Sequence, residues 1–312
     1  MCGRERKLRL GNEADMETKF IFTEKNGGAC VTKILSPGAA CIVPEVLGGA
    51  PVTEIGDRCF AESPVEEVYL PGTLKRIGRY GFYNCERLRA IHIYAETMEI
   101  GGGIFNGCRN IREIFIHMRA DEKSALRDFV TELGDRIIVH YFLPDGNGGE
   151  QEAARLVFPA YYDEAVENTP ARITVSNIHG TGQKYRYCFT DRKLRFERYD
   201  KLFVYERVEE SVTAAAEIAM FRLWYPYGLW EDAKKVYEDF LQKHLYEVLA
   251  GNLGKPDIFK RLFGEYAGKL LTEAETDRLI LEASKRKLAE ISGILMNYKH
   301  ERFQPKKKRF EF

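Results

Sequence analysis

Between residues 55 and 117 the apolar positions recur at a fixed offset much longer than the period of any single helix or strand. Ile55, Ile77 and Ile100 stand at nearly equal intervals, the first shorter by a single position, and each is followed by glycine. Phe60, Phe82 and Phe105 repeat the same intervals. Three residues after each Phe stands Ser63, Cys85 or Cys108, and then an aliphatic residue, Val65, Leu88 or Ile111. Every copy closes on an alternating pair: Val68 and Leu70, Ile91 and Ile93, Ile114 and Ile116. Alternation predicts a short strand with two side chains inward. A unit this short cannot bury a core alone, so the copies must stack as a solenoid. The Phe and Cys are then expected to sit on their counterparts one turn away. The glycine suits a positive φ or a close backbone approach. A degenerate fourth copy follows, in which Phe129 precedes Ile137 and Val139 at the spacing by which Phe60 precedes Val68 and Leu70.

Beyond the repeats the pattern changes twice. PDGNGGE (144–150) is a series of turn-formers and reads as a boundary. Residues 144–210 are rich in aromatics and weakly periodic, which predicts two or three short strands or extended segments, with a hairpin tip at His179-Gly180-Thr181-Gly182. From about Ser211 apolar residues return at three- and four-residue steps, the helical pattern. Thr272 and Glu275 form a capping box that opens the last helical stretch. Ala250 and Ala283, Ile258 and Ile291, and Leu262 and Leu295 share one common separation. It equals the ankyrin period, and ILEASKRKLAEISGILMNYK looks like the helix–turn–helix half of such a repeat. The T-P-L-H turn is absent, and an ordinary helical bundle is the alternative.

The solenoid segment resembles a known family. VPEVLGGAPVTEIGDRCF (43–60) and VEEVYLPGTLKRIGRYGFYNCERLRAIHI (65–93) are similar to the entry segment and coils of the BspA-type leucine-rich repeats of bacteria. FIFTEKNGGACVTKI (20–34) looks like the hairpin that precedes them, turned at Asn26-Gly27. The resemblance covers about residues 20–117 and implies a leucine-rich-repeat β-solenoid; with the irregular β segment and the helical, ankyrin-like C-terminal domain read from the pattern above, an α+β chain is expected. The expected divisions are a disordered stretch at 1–19, the capped solenoid at 20–143, the connecting segment at 144–210, helix pairs at 211–304, and a basic tail at 305–312.

Composition narrows the function. Lys and Arg number 47, as do Asp and Glu, so the net charge is zero and no chain-wide field favours nucleic acid or an anionic membrane. The opening MCGRERKLRLGNEADMETKF is basic but has no apolar run of a secretory signal. Members of the resembled family are often exported; here a cytoplasmic protein is expected, its seven cysteines reduced thiols.

Candidate chemistry lies outside the inward pairs. The residues between them are Tyr69, His92, Phe115 and, in the fourth copy, Ile138; those after them are Pro71, Tyr94, His117 and His140. Rows this rich in rings on a sheet face predict a contact surface, either for a protein partner or for the chain's own C-terminal half. Tyr69, His92, Tyr94, Phe115, His117, Ile138 and His140 are therefore the candidate partner-binding residues. A metal shared by His117 and His140 lacks a third ligand in register, so no metal and no cofactor is expected. HGTGQ lacks the ending of a phosphate loop. The leading expectation is a non-catalytic protein–protein interaction module. One alternative is an enzyme with a site in 158–205 around His179 and Cys188. Another is single-stranded nucleic-acid binding through the basic and aromatic run 184–201 and the tail, which the interleaved Asp191, Glu197 and Asp200 oppose.

Overall fold

The structure, a computed structural model, describes residues 6–10, 18–119, 123–168, 173–267 and 270–303. The chain divides into two compact units: Met1–Glu209 with Trp224–Leu229, and Glu210–Leu223 with Trp230–Phe312.

The first unit opens with strands β1 (Arg6–Leu10), β2 (Thr18–Lys25) and β3 (Gly28–Leu35), paired antiparallel in sequence order. Asn26 and Gly27 turn the second hairpin, with φ of 51° and 77°, the doubly left-handed turn that matches strand twist. The stretch expected to be disordered thus contains β1; the rest of 1–17 and the basic tail lie outside the described residues. From β3 the chain winds as coils, each crossing from one parallel ladder to the other. β3 is followed by β4 (Ala40–Ile42), and β5 (Val46–Leu47) folds back onto β6 (Ala50–Ile55), which leads to β7 (Glu67–Tyr69). Next come β8 (Arg76–Ile77) with β9 (Ala90–Tyr94), and β10 (Glu99–Ile100) with β11 (Glu113–His117). The fourth repeat substitutes a helix, α1 (Leu126–Thr131), for the first strand before β12 (Ile137–Pro144). One sheet runs β1-β2-β3-β6-β8-β10, and the other runs β4-β7-β9-β11-β12 and ends on β13 (Glu150–Phe158). The result is a β-solenoid of about five turns.

The repeated residues hold it as their spacing requires. Phe60, Phe82 and Phe105 stack at 4.7 and 5.7 Å, and Phe129 from α1 continues the column at 5.7 Å. All four are buried. Cys85 Sγ–H donates to Phe60 O at 3.0 Å and Cys108 Sγ–H to Phe82 O at 2.9 Å, so each thiol ties its coil to the preceding one. The glycine serves close approach rather than a positive φ: a Cβ on Gly78 would lie 2.5 Å from Asp57 N, and one on Gly101 2.4 Å from Arg79 N. The left-handed positions fall two and six residues after it instead. They are Arg58 and Glu62, Tyr80 and Asn84, Gly103 and Gly107, with φ between 53° and 84°. Only the third copy uses glycine at both. A left-handed conformation costs a side-chain-bearing residue about 1–2 kcal/mol. The exposed Glu62 has φ 60°. Glu62→Gly is therefore expected to raise stability by about 0.5–1 kcal/mol after the greater freedom of glycine in the unfolded chain is charged against it. Urea melts should show a higher midpoint at unchanged slope.

PDGNGGE is not a boundary. It is the β12–β13 turn, in which Asp145 Oδ1 accepts from Asn147 N at 2.8 Å and Gly149 N at 2.9 Å. The segment expected to connect two domains belongs to the first unit. It continues through the hairpin β14 (Tyr162–Asn168) and β15 (Ile173–His179), helix α2 (Gly182–Arg186), the short hairpin β16 (Phe189–Thr190) and β17 (Lys193–Leu194), and helices α3 (Phe196–Lys201) and α4 (Phe203–Glu209). Arg186 is its anchor. The guanidinium donates to the carbonyls of Val130 and Leu133 (2.9 and 2.8 Å), Pro159 (2.6 Å), Gly182 (2.8 Å) and Asp135 (2.8 Å), and lies 4.7 Å from the Tyr161 ring centroid.

The second unit is helical: α5 (Val212–Trp224, to Leu223 in this unit), α6 (Glu231–Lys243), α7 (Leu245–Gly251), α8 (Pro256–Leu262) with a π turn at Phe263–Ala267, α9 (Glu273–Lys285) and α10 (Ala289–Phe303). The starts of α8 and α10, Pro256 and Ala289, are separated by the same period as the sequence repeat, which therefore marks two helix pairs. Leu262 and Leu295 are both buried, whereas Ile258 is half-buried and Ile291 buried. The Thr272–Glu275 capping box forms in both directions, at 3.3 and 2.9 Å. Lys260 pairs with Glu290 at 2.5 Å, and Tyr298 Oη donates to Ala267 O at 2.7 Å, joining the second pair to the first.

Candidate functional site

The inward pairs of β7, β9 and β11 leave alternate residues on the outer face. Parallel pairing puts Tyr69 beside His92, His92 beside Phe115, and Phe115 beside His140. The rings stack at centroid distances of 4.0, 4.2 and 4.3 Å and interplanar angles of 15°, 8° and 7°. A second column runs through Tyr94, His117 and Phe142 at 4.6 and 5.1 Å. Because each ring faces its neighbour, the columns present edges outward.

The register corrects one placement. The fourth strand is offset by two residues from the expected one: Val139 and Tyr141 continue the inward pair, His140 stands in the Tyr69 row, and Phe142 stands in the Tyr94 row. Ile138 lies beside Glu113, outside both columns. Phe142 is the ring that the sequence reading missed. The columns also have lateral neighbours. Ile42, 69% exposed, pairs with Tyr69 at one end. At the other, Arg155 of β13 lies opposite His140, with its guanidinium 4.3 Å from the Tyr225 ring centroid. β13 therefore extends the sheet and does not lie over its ring-bearing face.

Carboxylates hold the imidazoles. Glu67 Oε1 accepts from Tyr69 Oη at 2.9 Å and lies 3.0 Å from His92 Nε2. Glu150 Oε2 lies 2.5 Å from His117 Nδ1, and Glu152 Oε1 lies 2.7 Å from His140 Nδ1. His140 Nε2 is 3.5 Å from Glu113 Oε1. Arg155 grips Glu152 through two contacts of 2.6 Å. Beyond the second column a hollow of about 250 Å³ is lined by Tyr94, His117, Arg119 and Glu150 among others. The partners set opposed titrations. Burial dominates at His92 and lowers its pKa against the pull of Glu67. At His140 burial is outweighed by the hydrogen bond to Glu152 and the nearby carboxylate of Glu113, and the pKa rises. Burial would likewise lift Glu152, but the bonds from Arg155 and His140 outweigh it and bring the carboxyl down to about 2.

A carbon-detected titration of the imidazoles is expected to show His140 above the ordinary histidine value and His92 below it. The signs follow from linkage. The raised His140 stabilises the fold below the ordinary value of 6.5, and this is lost as pH rises through its folded value. The lowered His92 opposes it, because acidification through 6.5 protonates the unfolded chain first. Glu152 stabilises above its ordinary 4.5, and that is lost as pH falls toward 2. Two imidazoles moving in the same direction would refute this arrangement.

The other candidates do not assemble. His179 is half-buried on β15, stacked on Tyr162 at 4.6 Å and 3.1 Å from Glu164 Oε2. Cys188 is buried, points its thiol at Lys184 O at 3.8 Å, and is pushed up to about 12 by burial, the opposite of an activated nucleophile. The hollow in that stretch is lined by Thr190, Leu194, Arg195, Phe196, Glu197 and Arg198, with neither His179 nor Cys188 on its wall. HGTGQ is no hairpin tip. It turns β15 into α2, with Gly182 pressed so closely on Pro159 that a Cβ would lie 2.0 Å from its carbonyl oxygen, and with Thr181 Oγ1 donating to the buried Glu206. In the basic and aromatic run, Tyr185, Arg186 and Tyr199 are buried, and Tyr199 Oη bonds both N and O of Val157, at 2.8 and 2.6 Å. Those rings are core and cannot stack bases. Among the described residues no group of three His, Cys, Asp or Glu could hold a metal ion, and no helix is long and apolar enough to cross a membrane.

Short coils of near-constant length, two parallel ladders and stacked Phe and Cys define a leucine-rich repeat solenoid. Residues 53–126 match the BspA type Leucine rich repeat region in 6 copies, and this part of the chain is such a region. Similar solved structures include a leucine rich cell surface protein from Faecalibacterium prausnitzii A2-165, 23% identical, with a TM-score of 0.28 over 36% of this chain and 33% of that one. Another is a leucine-rich repeat protein from Bacteroides capillosus ATCC 29799, 26% identical, with a TM-score of 0.30 over 31% of this chain and 77% of that one. The chain spans about a third of the length of the first. No curated protein matches it.

Proposed function

We propose that the protein is a non-catalytic interaction module of a bacterial cell, which contacts a protein partner through the two ring columns. The observation that carries this reading is the outer face itself. Seven rings stand in two ordered columns on a sheet whose neighbouring strand β13 does not lie over them; all but the buried His140 are partly exposed. Amphipathic rings of this kind concentrate at protein contacts. The helix pairs of the second unit, ankyrin-like in period, add a second surface of the repeat type. The described cysteines are free, and Cys85 and Cys108 act as S–H donors, which fits a reducing cytoplasm.

Tyr69→Lys with Phe115→Lys should test it. Affinity capture with quantitative mass spectrometry is expected to recover a defined protein with the wild-type chain and to lose it with the double variant, while circular dichroism shows both folded. Equal recovery by a folded double variant would remove the columns from the function.

A further inference from the structure

The chemistry of the partner can be read from the charges around the columns, taking the interaction reading as its basis. The outer face carries the carboxylates of Glu67 on β7, Glu113 on β11, and Glu150 and Glu152 on β13. Their polar neighbours are His92, His117 and His140, the hydroxyls of Tyr69 and Tyr94, and Arg155, which Glu152 holds bidentate. Flanking arginines are paired off this face: Arg87 and Arg89 share Glu66, Arg112 pairs with Asp135 at 3.5 Å, and Arg119 pairs with Glu96. With the imidazoles neutral, four carboxylates against one guanidinium leave three negative charges on the face. Three of these carboxylates keep an open side: the side chains of Glu67, Glu113 and Glu150 are 35%, 43% and 38% exposed. The rings add to the preference, because the exposed edges pack against aliphatic stems as well as against other rings.

We propose that this face takes an extended, lysine- or arginine-rich segment of a protein partner. Its cationic heads pair with Glu67, Glu113 and Glu150, while their stems lie along the ring edges from Ile42 to Phe115. Glu67 and Glu113 lie two strands apart, about 10 Å at the usual strand spacing. Three residues of extended chain cover that distance at about 3.3 Å each, so cations at every third position reach both. The sign of the face repels phosphate backbones and anionic lipid.

The full-length chain is titrated, by fluorescence anisotropy at pH 8 and low salt, into a labelled peptide of four Lys-Gly-Ser repeats. Parallel titrations use a peptide of four Glu-Gly-Ser repeats and a single-stranded oligonucleotide. Only the lysine peptide is expected to bind. Its affinity should fall with added salt, and it should fall again between pH 8 and 5.5 as His140, raised above the ordinary histidine value, protonates beside Glu113 and Glu152 and offsets their charge. Glu67→Gln, Glu113→Gln and Glu150→Gln together keep the side-chain shape and should weaken binding at least tenfold. Glu62→Gln with Glu86→Gln, two exposed carboxylates off this face, should leave it unchanged. Failure of the lysine peptide to bind, preference for the acidic peptide or the oligonucleotide, or indifference to the triple substitution would overturn the proposal. If capture of a protein partner is nonetheless lost in Tyr69→Lys with Phe115→Lys, the contact surface stands and only its charge preference falls.

Discussion

Arg186→Met is expected to cost the first unit about 4–5 kcal/mol, in the range for breaking a buried charged network. The reason is the number of groups it leaves behind. The guanidinium is 1% exposed and serves five carbonyls. Two of them, Val130 and Leu133, stand at the end of α1, where a cation is favoured; Val130 O also accepts from Leu133 N at 3.4 Å. The others belong to the loop before β12, the end of β13 and the start of α2. Methionine fills the volume but donates nothing, and each abandoned buried acceptor costs about 1–3 kcal/mol before relaxation. Burial lowers the Arg186 pKa to about 10, so it is still charged at neutral pH. A fall of about 10–20 °C in the thermal midpoint corresponds to this loss for a unit of this size. Arg186→Lys, unable to reach five acceptors from one ammonium, should recover only part of it. A methionine variant within about 0.5 kcal/mol of wild type, well below the usual core-mutation cost, would show that the clamp is dispensable.

Phe82→Ala is the second large effect, expected at about 3–5 kcal/mol. Phe82 is fully buried in the middle of its column, between Phe60 and Phe105. Truncation opens a cavity that neither neighbour can fill, since backbone bonds fix each: Phe60 N donates to Gly81 O of the next coil at 2.9 Å, and Phe105 O accepts from Cys108 N of its own coil, also at 2.9 Å. Phe82→Leu keeps much of the volume and should cost about 1–1.5 kcal/mol. Chemical denaturation of the two variants separates cavity formation from loss of ring stacking. Similar losses in both would point to stacking.

The coils were legible because each copy repeats its inward residues at nearly constant spacing, so the ladder register of Tyr69, His92 and Phe115 follows from counting. The count failed at the fourth copy for a physical reason. There α1 replaces a strand, and the inward pair, Val139 and Tyr141, falls two positions later after Phe129 than in the first copy and one later than in the second and third. Tyr141, inward and buried against Phe196 and Tyr227, also does not look like the aliphatic residue expected there. The left-handed corners were hidden because Arg58, Glu62, Tyr80 and Asn84 occupy them without glycine. The run around Arg186 misled most. A cation among aromatic rings reads as a binding surface, and only the carbonyls gathered from distant positions reveal that it faces inward. The carboxylates that bracket the histidines come from other strands, so sequence proximity does not announce them.

The coil-on-coil construction also sets how this chain would answer to force. Each coil touches only its neighbours through one layer of backbone bonds, Phe rings and thiols. Pulled from its ends, such a stack yields in discrete steps and not in one rupture. Each coil releases about 80 Å of extended chain as it comes away. The long β12–β13 pairing and the Arg186 clamp secure the C-terminal end, and the β2–β3 hairpin secures the N-terminal end. Lengthening therefore starts in the middle coils, which are held on one side by the two-residue strands β8 and β10, and this makes the solenoid a ratcheted spring with two stiff ends.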